Sequence, residues 1–175
     1  PMHEAEHFYD FPFHSDFRLD ERGYPDLRGY PNPFGVPLVT NMLRVAVEHR
    51  GWLMQPVAWF RFDGQLGLRT GSDDTVLLMD LESGRVLPST YSTLEADPYV
   101  PDGVLAVSPR PGVILRPDTP HAIVIRRAFG DGDGRELGRV PAIQAAMDGE
   151  SDSMDLNRLY TPLGSALRVM GLDAS

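Results

Sequence analysis

The sequence has 175 residues, of which 42% are apolar, which suffices for one domain with a buried core and is short for two. Its 16 basic and 25 acidic residues give a formal net charge of −9, which repels nucleic acid backbones and anionic lipid headgroups. All the basic residues are Arg and Cys is absent, so chemistry that needs a Lys amine or a Cys thiolate is excluded from these residues.

No apolar run reaches the roughly 18 residues that a membrane-spanning helix needs, and no signal-peptide pattern opens the sequence. We therefore expect a soluble, cytoplasmic protein, or one within an assembled particle. Neither nucleic acid nor a membrane is an expected partner.

Residues 1–37 differ from the rest, because they hold most of the Phe and Tyr residues, interleaved with Pro, Asp and Arg and without helical or strand periodicity. Such a segment cannot form its own core, so we expect an extended arm that lies across the domain or across a neighbouring protein. Aromatic and Arg side chains are typical of protein interfaces. The predicted partner-binding residues are Phe8, Tyr9, Phe11, Phe13, Phe17, Arg22, Tyr24, Arg28, Tyr30 and Phe34.

Residues 38–175 have the patterns of a folded domain. Apolar residues recur at helical spacing from Leu38 to Val47, and Gly51 is a suitable stop. Asp63-Gly64 is typical of a tight hairpin turn between two strands. Apolar and branched residues predict short strands over 55–62, 65–70, 76–81, 85–87, 103–107, 113–116 and 122–127.

The C-terminal part predicts helices. Pro141 can begin a helix that ends near Gly149, residues 154–160 form a second, and Thr161 caps a third with Pro162 in its first turn. The predicted fold is therefore α+β. It is a single domain with one antiparallel sheet of short strands, curved or closed like a barrel, with one helix before it, two or three C-terminal helices and the extended N-terminal arm.

The sequence from His3 to His7 reads HEAEH, the H-E-x-x-H pattern in which two His one helical turn apart hold a zinc ion. That geometry needs a rigid helix, whereas only two residues precede His3 and a segment ending in Pro12 follows. The resemblance to zinc peptidases thus covers five residues. We predict no metal site and no catalytic residue here.

The stretch from Pro111 to Ile125, PGVILRPDTPHAIVI, leads into a strand that begins near His121. It resembles the second half of a cupin signature, and this resemblance implies a small β-barrel with a metal held partly by His121. The companion motif, two His one residue apart followed by a Glu, has no counterpart upstream. Since one His cannot hold a catalytic metal alone, we predict no cofactor.

Three functional hypotheses follow. We favour a non-catalytic protein–protein interaction protein that uses the N-terminal arm, as an accessory subunit, an assembly or virion component, or an immunity-type inhibitor. Its partner would be another protein or a second copy of itself. The alternative is a metal-dependent, cupin-like enzyme that uses His121 with His49 or an N-terminal His, and an Asp. A small-ligand carrier lined by Trp52 and Trp59 is the third.

Overall fold

The computed structural model describes residues 8–172, in which three α-helices and seven β-strands are formed. Within this range no helix is long and apolar enough to cross a membrane. The helices are α1 (Pro37–Ala46), α2 (Pro141–Asp148) and α3 (Met154–Val169). The strands are β1 (Ala58–Arg61), β2 (Thr70–Gly71), β3 (Val76–Asp80), β4 (Arg85–Leu87), β5 (Ser89–Thr93), β6 (Val104–Pro109) and β7 (His121–Ile125).

The strands form two antiparallel sheets. The larger sheet has the order β1-β6-β5-β2, and the smaller has the order β4-β3-β7. In the larger sheet Leu105 of β6 lies opposite Phe60 of β1 on one side and Thr93 of β5 on the other. The predicted α+β class and antiparallel strand pairing are therefore confirmed.

Strand β3 is the centre of the molecule, since all five of its residues are buried. Val76 packs with Leu105 and Val107 of the larger sheet, whereas Leu77 and Met79 pack against the C-terminal helices. Side chains alternate between the faces of a strand, and a strand covered on both faces is mostly apolar, as in residues 76–79 here. The molecule therefore has three layers: the larger sheet, the smaller sheet and the helix pair α2–α3.

The prediction of one curved or barrel-like sheet is wrong, because the strands form two sheets that do not close. The predicted hairpin at Asp63-Gly64 is also wrong. The Phe62 N–H donates to the Gly103 carbonyl at 2.9 Å, and β1 pairs with β6 instead of with the following strand. Strand β5, which carries no clear strand pattern, lies between β6 and β2 in the larger sheet. Residues 113–116, which were predicted to form a strand, do not form one.

Two C-terminal helices are formed, within the predicted two or three, but the separate helix beginning at Thr161 is not. Helix α3 begins at the Ser153 cap and continues through Pro162. The Thr161 hydroxyl does not cap a helix but donates to the Ala146 carbonyl of α2 at 3.3 Å. A Cβ on Gly164 would lie 2.5 Å from the Met147 carbonyl oxygen, so the close contact of the two helices requires Gly at this position.

The N-terminal segment, residues 8–36, is tied to the rest by a buried arginine and by backbone pairing. The Arg18 guanidinium donates to the carbonyls of Phe8, Phe11 and Pro12 and lies 4.3 Å from the centre of the Phe8 ring. Phe13 pairs with Trp59 of β1 as an isolated antiparallel bridge. The first residues of this segment therefore belong to the packed interior.

Candidate functional site

The predicted partner-binding residues occupy three different environments. Three of them, Phe8, Tyr9 and Phe13, are buried in one cluster with Val104 of β6. Phe13 stacks on Trp59 with ring centres 5.4 Å apart. Desolvation by burial raises the pKa of Tyr9 to about 12. In the isolated chain these three side chains hold the N-terminal segment to its own core.

The other predicted residues are more accessible. Phe17 is half-buried and lies 6.0 Å from Tyr160 of α3, ring centre to ring centre. Phe34 is 68% exposed and meets Tyr99 edge to face at 5.7 Å. The remaining half-buried residues are Phe11, Tyr24 and Tyr30, and the remaining exposed residues are Arg22 and Arg28. The ten residues are thus divided among a buried cluster, half-buried positions and an exposed surface.

Helix α1 has an apolar surface that residues 8–172 leave uncovered. None of its residues is buried. Leu38 and Met42 are 67% and 63% exposed, and Val45, one turn further along the same side, is also exposed. We call these three residues the α1 face. Apolar side chains recurring at this spacing are typical of a helix that packs against something, and here they contact solvent.

The start of α1 is fixed by local polar contacts, not by burial of its side chains. The Asn32 side chain accepts from the Val36 N–H at 2.8 Å and donates to the Val36 carbonyl and the Thr40 hydroxyl. Pro37 occupies the first turn, where its missing N–H costs no hydrogen bond. After the helix, the Gly51 N–H donates to the Gly23 carbonyl at 2.8 Å. The helix is thus held at both ends.

An open cleft of about 440 Å³ lies between the turn at residues 20–26 and the end of α1. A smaller adjoining pocket is lined by Arg22, Tyr24 and Arg50. We call the two together the arginine cleft. The residues lining the larger part are Asp20, Arg22, Tyr24, Pro25, Asp26 and Val47.

The turn that forms one wall of the arginine cleft is built by Asp20. Its carboxylate accepts from the backbone N–H of Arg22 at 2.9 Å and of Tyr24 at 2.8 Å. Gly23 has a φ of +83°, which glycine adopts readily. A Cβ there would lie 3.6 Å from the Arg50 Nε, so the Arg50 guanidinium rests close above this backbone. The turn therefore brings two arginines to one place.

At the arginine cleft the Asp26 carboxylate is paired with an arginine, whereas two guanidiniums are not paired with a carboxylate of the described residues. Asp26 is bonded to Arg28 through two side-chain nitrogens, and the hydrogen bond from Arg28 lowers the pKa of Asp26. Arg22 lies 5.5 Å from the centre of the Tyr24 ring. Within residues 8–172 neither Arg22 nor Arg50 forms an ion pair. These two guanidiniums can therefore bind an anion from outside the chain.

Sequence reasoning selected Arg22 and Tyr24 but missed Arg50 and the α1 face. The spacing from Leu38 to Val47 predicted α1, yet the same spacing is found in helices that pack on their own core. Nothing in the sequence distinguishes those cases. Arg50 follows the helix in an unpatterned stretch, and only the Gly23–Gly51 contact brings it beside Arg22.

The histidines do not converge on a metal site in the described part of the chain. His14 Nδ1 donates to the Val57 carbonyl at 3.1 Å, His49 Nδ1 to Val45 and His121 Nδ1 to Thr119. No group of three or more His, Asp or Glu side chains able to hold a metal occurs in residues 8–172. The HEAEH motif at residues 3–7 lies outside the described residues.

The barrel that both the enzyme and the carrier hypotheses require is not formed, since the sheets do not close. Trp52 and Trp59, the expected lining of a carrier, both lie against Phe13 in the aromatic cluster. The Nε2 atom of His121 is buried, and it has no hydrogen-bond partner within residues 8–172. His121, at the start of β7 opposite Asp80, belongs to no group of three potential metal ligands within the described residues.

We expect His14 to make the free energy of unfolding dependent on pH. Burial lowers its pKa to about 4 from an ordinary value near 6.5. The unfolded chain therefore binds this proton at a higher pH than the folded protein does. Above about pH 6.5 His14 should not lower the free energy of unfolding, and below that pH the free energy should fall progressively toward pH 4. Between pH 7 and pH 5 the loss should be roughly 1 to 2 kcal/mol.

Urea denaturation of the wild type and of His14→Asn at both pH values measures this contribution. The wild type should lose more stability than the variant on going from pH 7 to pH 5, because the carboxylates common to both proteins cancel in the comparison. Equal losses in the two proteins would show that the folded state accepts the His14 proton normally.

The chain was compared with protein-family models, curated proteins and solved structures, and none of the three comparisons found a match.

Proposed function

We propose that this protein is a non-catalytic protein–protein interaction protein, an accessory subunit, assembly component or immunity-type inhibitor. Its contact surface combines the α1 face with the exposed residues of the N-terminal segment, Arg22, Arg28 and Phe34. This keeps the predicted use of the N-terminal segment and adds the helix that follows it. The buried aromatics of that segment, Phe8, Tyr9 and Phe13, pack in the core.

The observation that carries this proposal is that α1 buries none of its residues. A helix of ten residues is only marginally stable in water, and most helices in proteins are stabilised by packing of an apolar side. Here Leu38, Met42 and Val45 face solvent. A partner that covers them removes apolar surface from water and stabilises the helix at the same time.

The composition of the surface also suits a binding role. Arg and aromatic residues contribute more than their share of binding free energy in interfaces. Phe34 is only three residues before Pro37, the first residue of α1, at the Leu38 end of the helix. At the other end Val47 lines the arginine cleft. Phe34 therefore lies near the first turn of α1, and the arginine cleft lies near its last turn.

The double substitution Leu38→Glu/Met42→Glu tests the proposal. Two carboxylates on the α1 face should abolish complex formation, because they would be desolvated in the interface without a partner. Stability of the isolated chain should change by no more than about 0.5 kcal/mol, since both positions are exposed. The matched control is Gln65→Glu/Ser165→Glu, which adds the same charge at exposed polar positions outside α1.

Complex formation is measured in two stages. A photo-crosslinking residue in place of Met42 identifies the polypeptide in contact with α1, with Ser165 as the comparison site. The captured protein is then purified, or a second copy of this chain is used if that is what crosslinks, and the affinity is measured by calorimetry. An unchanged affinity for Leu38→Glu/Met42→Glu, or equal crosslinking at both sites, would contradict the proposal.

A further inference from the structure

The chain contains five Asp-Gly dipeptides, which differ in how the structure holds their reactive groups. An Asp carboxyl group can condense with the backbone nitrogen of the next residue to form a succinimide ring. The reaction is easiest before Gly, because Gly has no Cβ to obstruct the approach and its backbone rotates freely. It requires that the carboxyl group and the Gly nitrogen can meet. The dipeptides begin at Asp63, Asp102, Asp131, Asp133 and Asp148.

Hydrogen bonds and ion pairs restrain three of these dipeptides. In each of them the Gly N–H donates to a backbone carbonyl, at 2.7 Å for Gly132, 3.1 Å for Gly134 and 3.2 Å for Gly149. The Asp carboxylate of each also forms an ion pair with an arginine. The nitrogen and the carboxyl carbon can react only after these bonds open, which costs free energy. Folding therefore slows succinimide formation at all three.

Packing restrains the fourth dipeptide, Asp102-Gly103. Gly103 is half-buried, and a Cβ at this position would collide with the Phe62 carbonyl oxygen. The Gly103 carbonyl also accepts the Phe62 N–H at 2.9 Å. Ring closure needs rotation about the bonds that flank the Asp–Gly peptide, and this tight contact opposes that rotation. We therefore expect Asp102 to react slowly, although it is exposed.

Asp63-Gly64 has none of these restraints in the part of the chain that the structure describes. Both residues are exposed, the Asp63 carboxylate forms no hydrogen bond or ion pair within residues 8–172, and the Gly64 N–H donates to no acceptor there. The residues on either side are fixed, because the Phe62 N–H and the Gln65 carbonyl form backbone hydrogen bonds of 2.9 Å and 2.7 Å. One unrestrained dipeptide thus lies between two anchored residues.

We infer that Asp63 is a site of isoaspartate formation in the folded protein. The Gly64 nitrogen attacks Cγ of the protonated Asp63 carboxyl group, so that a C–N bond forms, a C–O bond breaks, and the amide proton leaves with the hydroxyl as water. Water then opens the succinimide. Attack at Cγ restores Asp, whereas attack at the main-chain carbonyl carbon leaves Gly64 joined through the Asp63 side chain and frees an α-carboxylate. This product is the substrate class of isoaspartyl methyltransferases, which transfer a methyl group from S-adenosylmethionine to that carboxylate.

The experiment incubates the whole chain at physiological pH and temperature, folded or in urea, and then digests it with trypsin. Fragment 62–69 contains Asp63 as its only Asp, and fragment 128–135 contains the dipeptides at Asp131 and Asp133. Isoaspartate is quantified by enzymatic methylation with labelled S-adenosylmethionine and by mass spectrometry. From the folded protein, fragment 62–69 should contain at least about tenfold more isoaspartate than fragment 128–135 or the fragment with Asp102. In urea the amounts per dipeptide should become similar, because the restraints are lost.

The substitution Gly64→Ala tests the attacking nitrogen. Nothing lies within 4 Å of a Cβ at Gly64, so the variant should fold normally, while its new methyl group obstructs ring closure. Isoaspartate in fragment 62–69 should fall severalfold. The matched control is Gly138→Ala, since Gly138 is equally open but does not follow an Asp, and it should leave the amount unchanged. Circular dichroism shows that both variants remain folded.

Three results would overturn the inference. Equal isoaspartate in fragments 62–69 and 128–135 of the folded protein would show that folding does not expose Asp63 selectively. Isoaspartate that forms at Asp63 only in urea would show that this dipeptide is restrained in solution. An unchanged amount in Gly64→Ala would show that ring closure at Gly64 is not the route.

Discussion

Replacing Arg18 by Met should destabilise the protein by roughly 3 kcal/mol or more. Arg18 is only 5% exposed and donates to three backbone carbonyls, those of Phe8, Phe11 and Pro12. Met fills a similar volume but offers no donor, so carbonyls buried beside it lose their partners. Each unsatisfied buried group costs about 1 to 3 kcal/mol. The loss of the cation–π contact with the Phe8 ring adds to this.

The measurement is urea denaturation followed by circular dichroism in the near ultraviolet, which reports on the packed aromatic cluster. The matched control is Arg28→Met, because Arg28 is exposed and its pair with Asp26 lies at the surface. We expect this control to cost no more than about 1 kcal/mol. Equal destabilisation by the two substitutions would mean that the buried bonds of Arg18 contribute little.

Gly103→Ala should have the second large effect. Gly103 has a φ of +75°, and an added Cβ would lie 2.4 Å from the Phe62 carbonyl oxygen and 3.0 Å from that of Gly64. The Gly103 carbonyl also accepts the Phe62 N–H at the end of β1. The Cβ therefore forces the β1 end of the larger sheet apart. We expect a loss of roughly 3 kcal/mol, the sum of backbone strain and displacement of a sheet contact.

Gly84→Ala separates these two contributions. Gly84 has a φ of +67°, similar to that of Gly103, but nothing lies within 4 Å of an added Cβ. Only the strain of a left-handed alanine remains, which costs roughly 1 to 2 kcal/mol. Thermal and urea unfolding of both variants provide the comparison. If the two variants lose the same stability, the approach to Phe62 is not a tight contact in solution.

Local patterns predicted elements in this protein better than they predicted pairing. The apolar run of β3 and the helical spacing of α1 identified both elements correctly. The Asp63-Gly64 dipeptide indicated a hairpin that does not form, because β6, more than 40 residues later, provides a longer partner for β1. Competition between a local turn and a distant strand is decided by packing, which the sequence of the turn alone does not describe.

The predicted binding residues show the same limit. A cluster of Phe, Tyr and Arg is typical of an interface and equally of a segment held to its own core. Phe8 and Phe13 pack inside, whereas Phe34 and Arg22 face solvent. Which residue of the segment is buried depends on Trp59 and Val104, which approach only when the larger sheet is formed. The arginine cleft depends likewise on a contact between distant parts of the chain.

The edge strands of the two sheets determine how readily another chain can pair with them. Three edge strands, β1, β2 and β4, have four, two and three residues, and the outer side of β1 is already bonded to Phe13. Such edges offer little free backbone for strand addition, which natural sheets avoid by short or covered edges. Among the described strands only β7 presents a longer edge, of five residues. Ordered aggregation through the sheets is thereby disfavoured, and concentrated samples should stay free of fibrils.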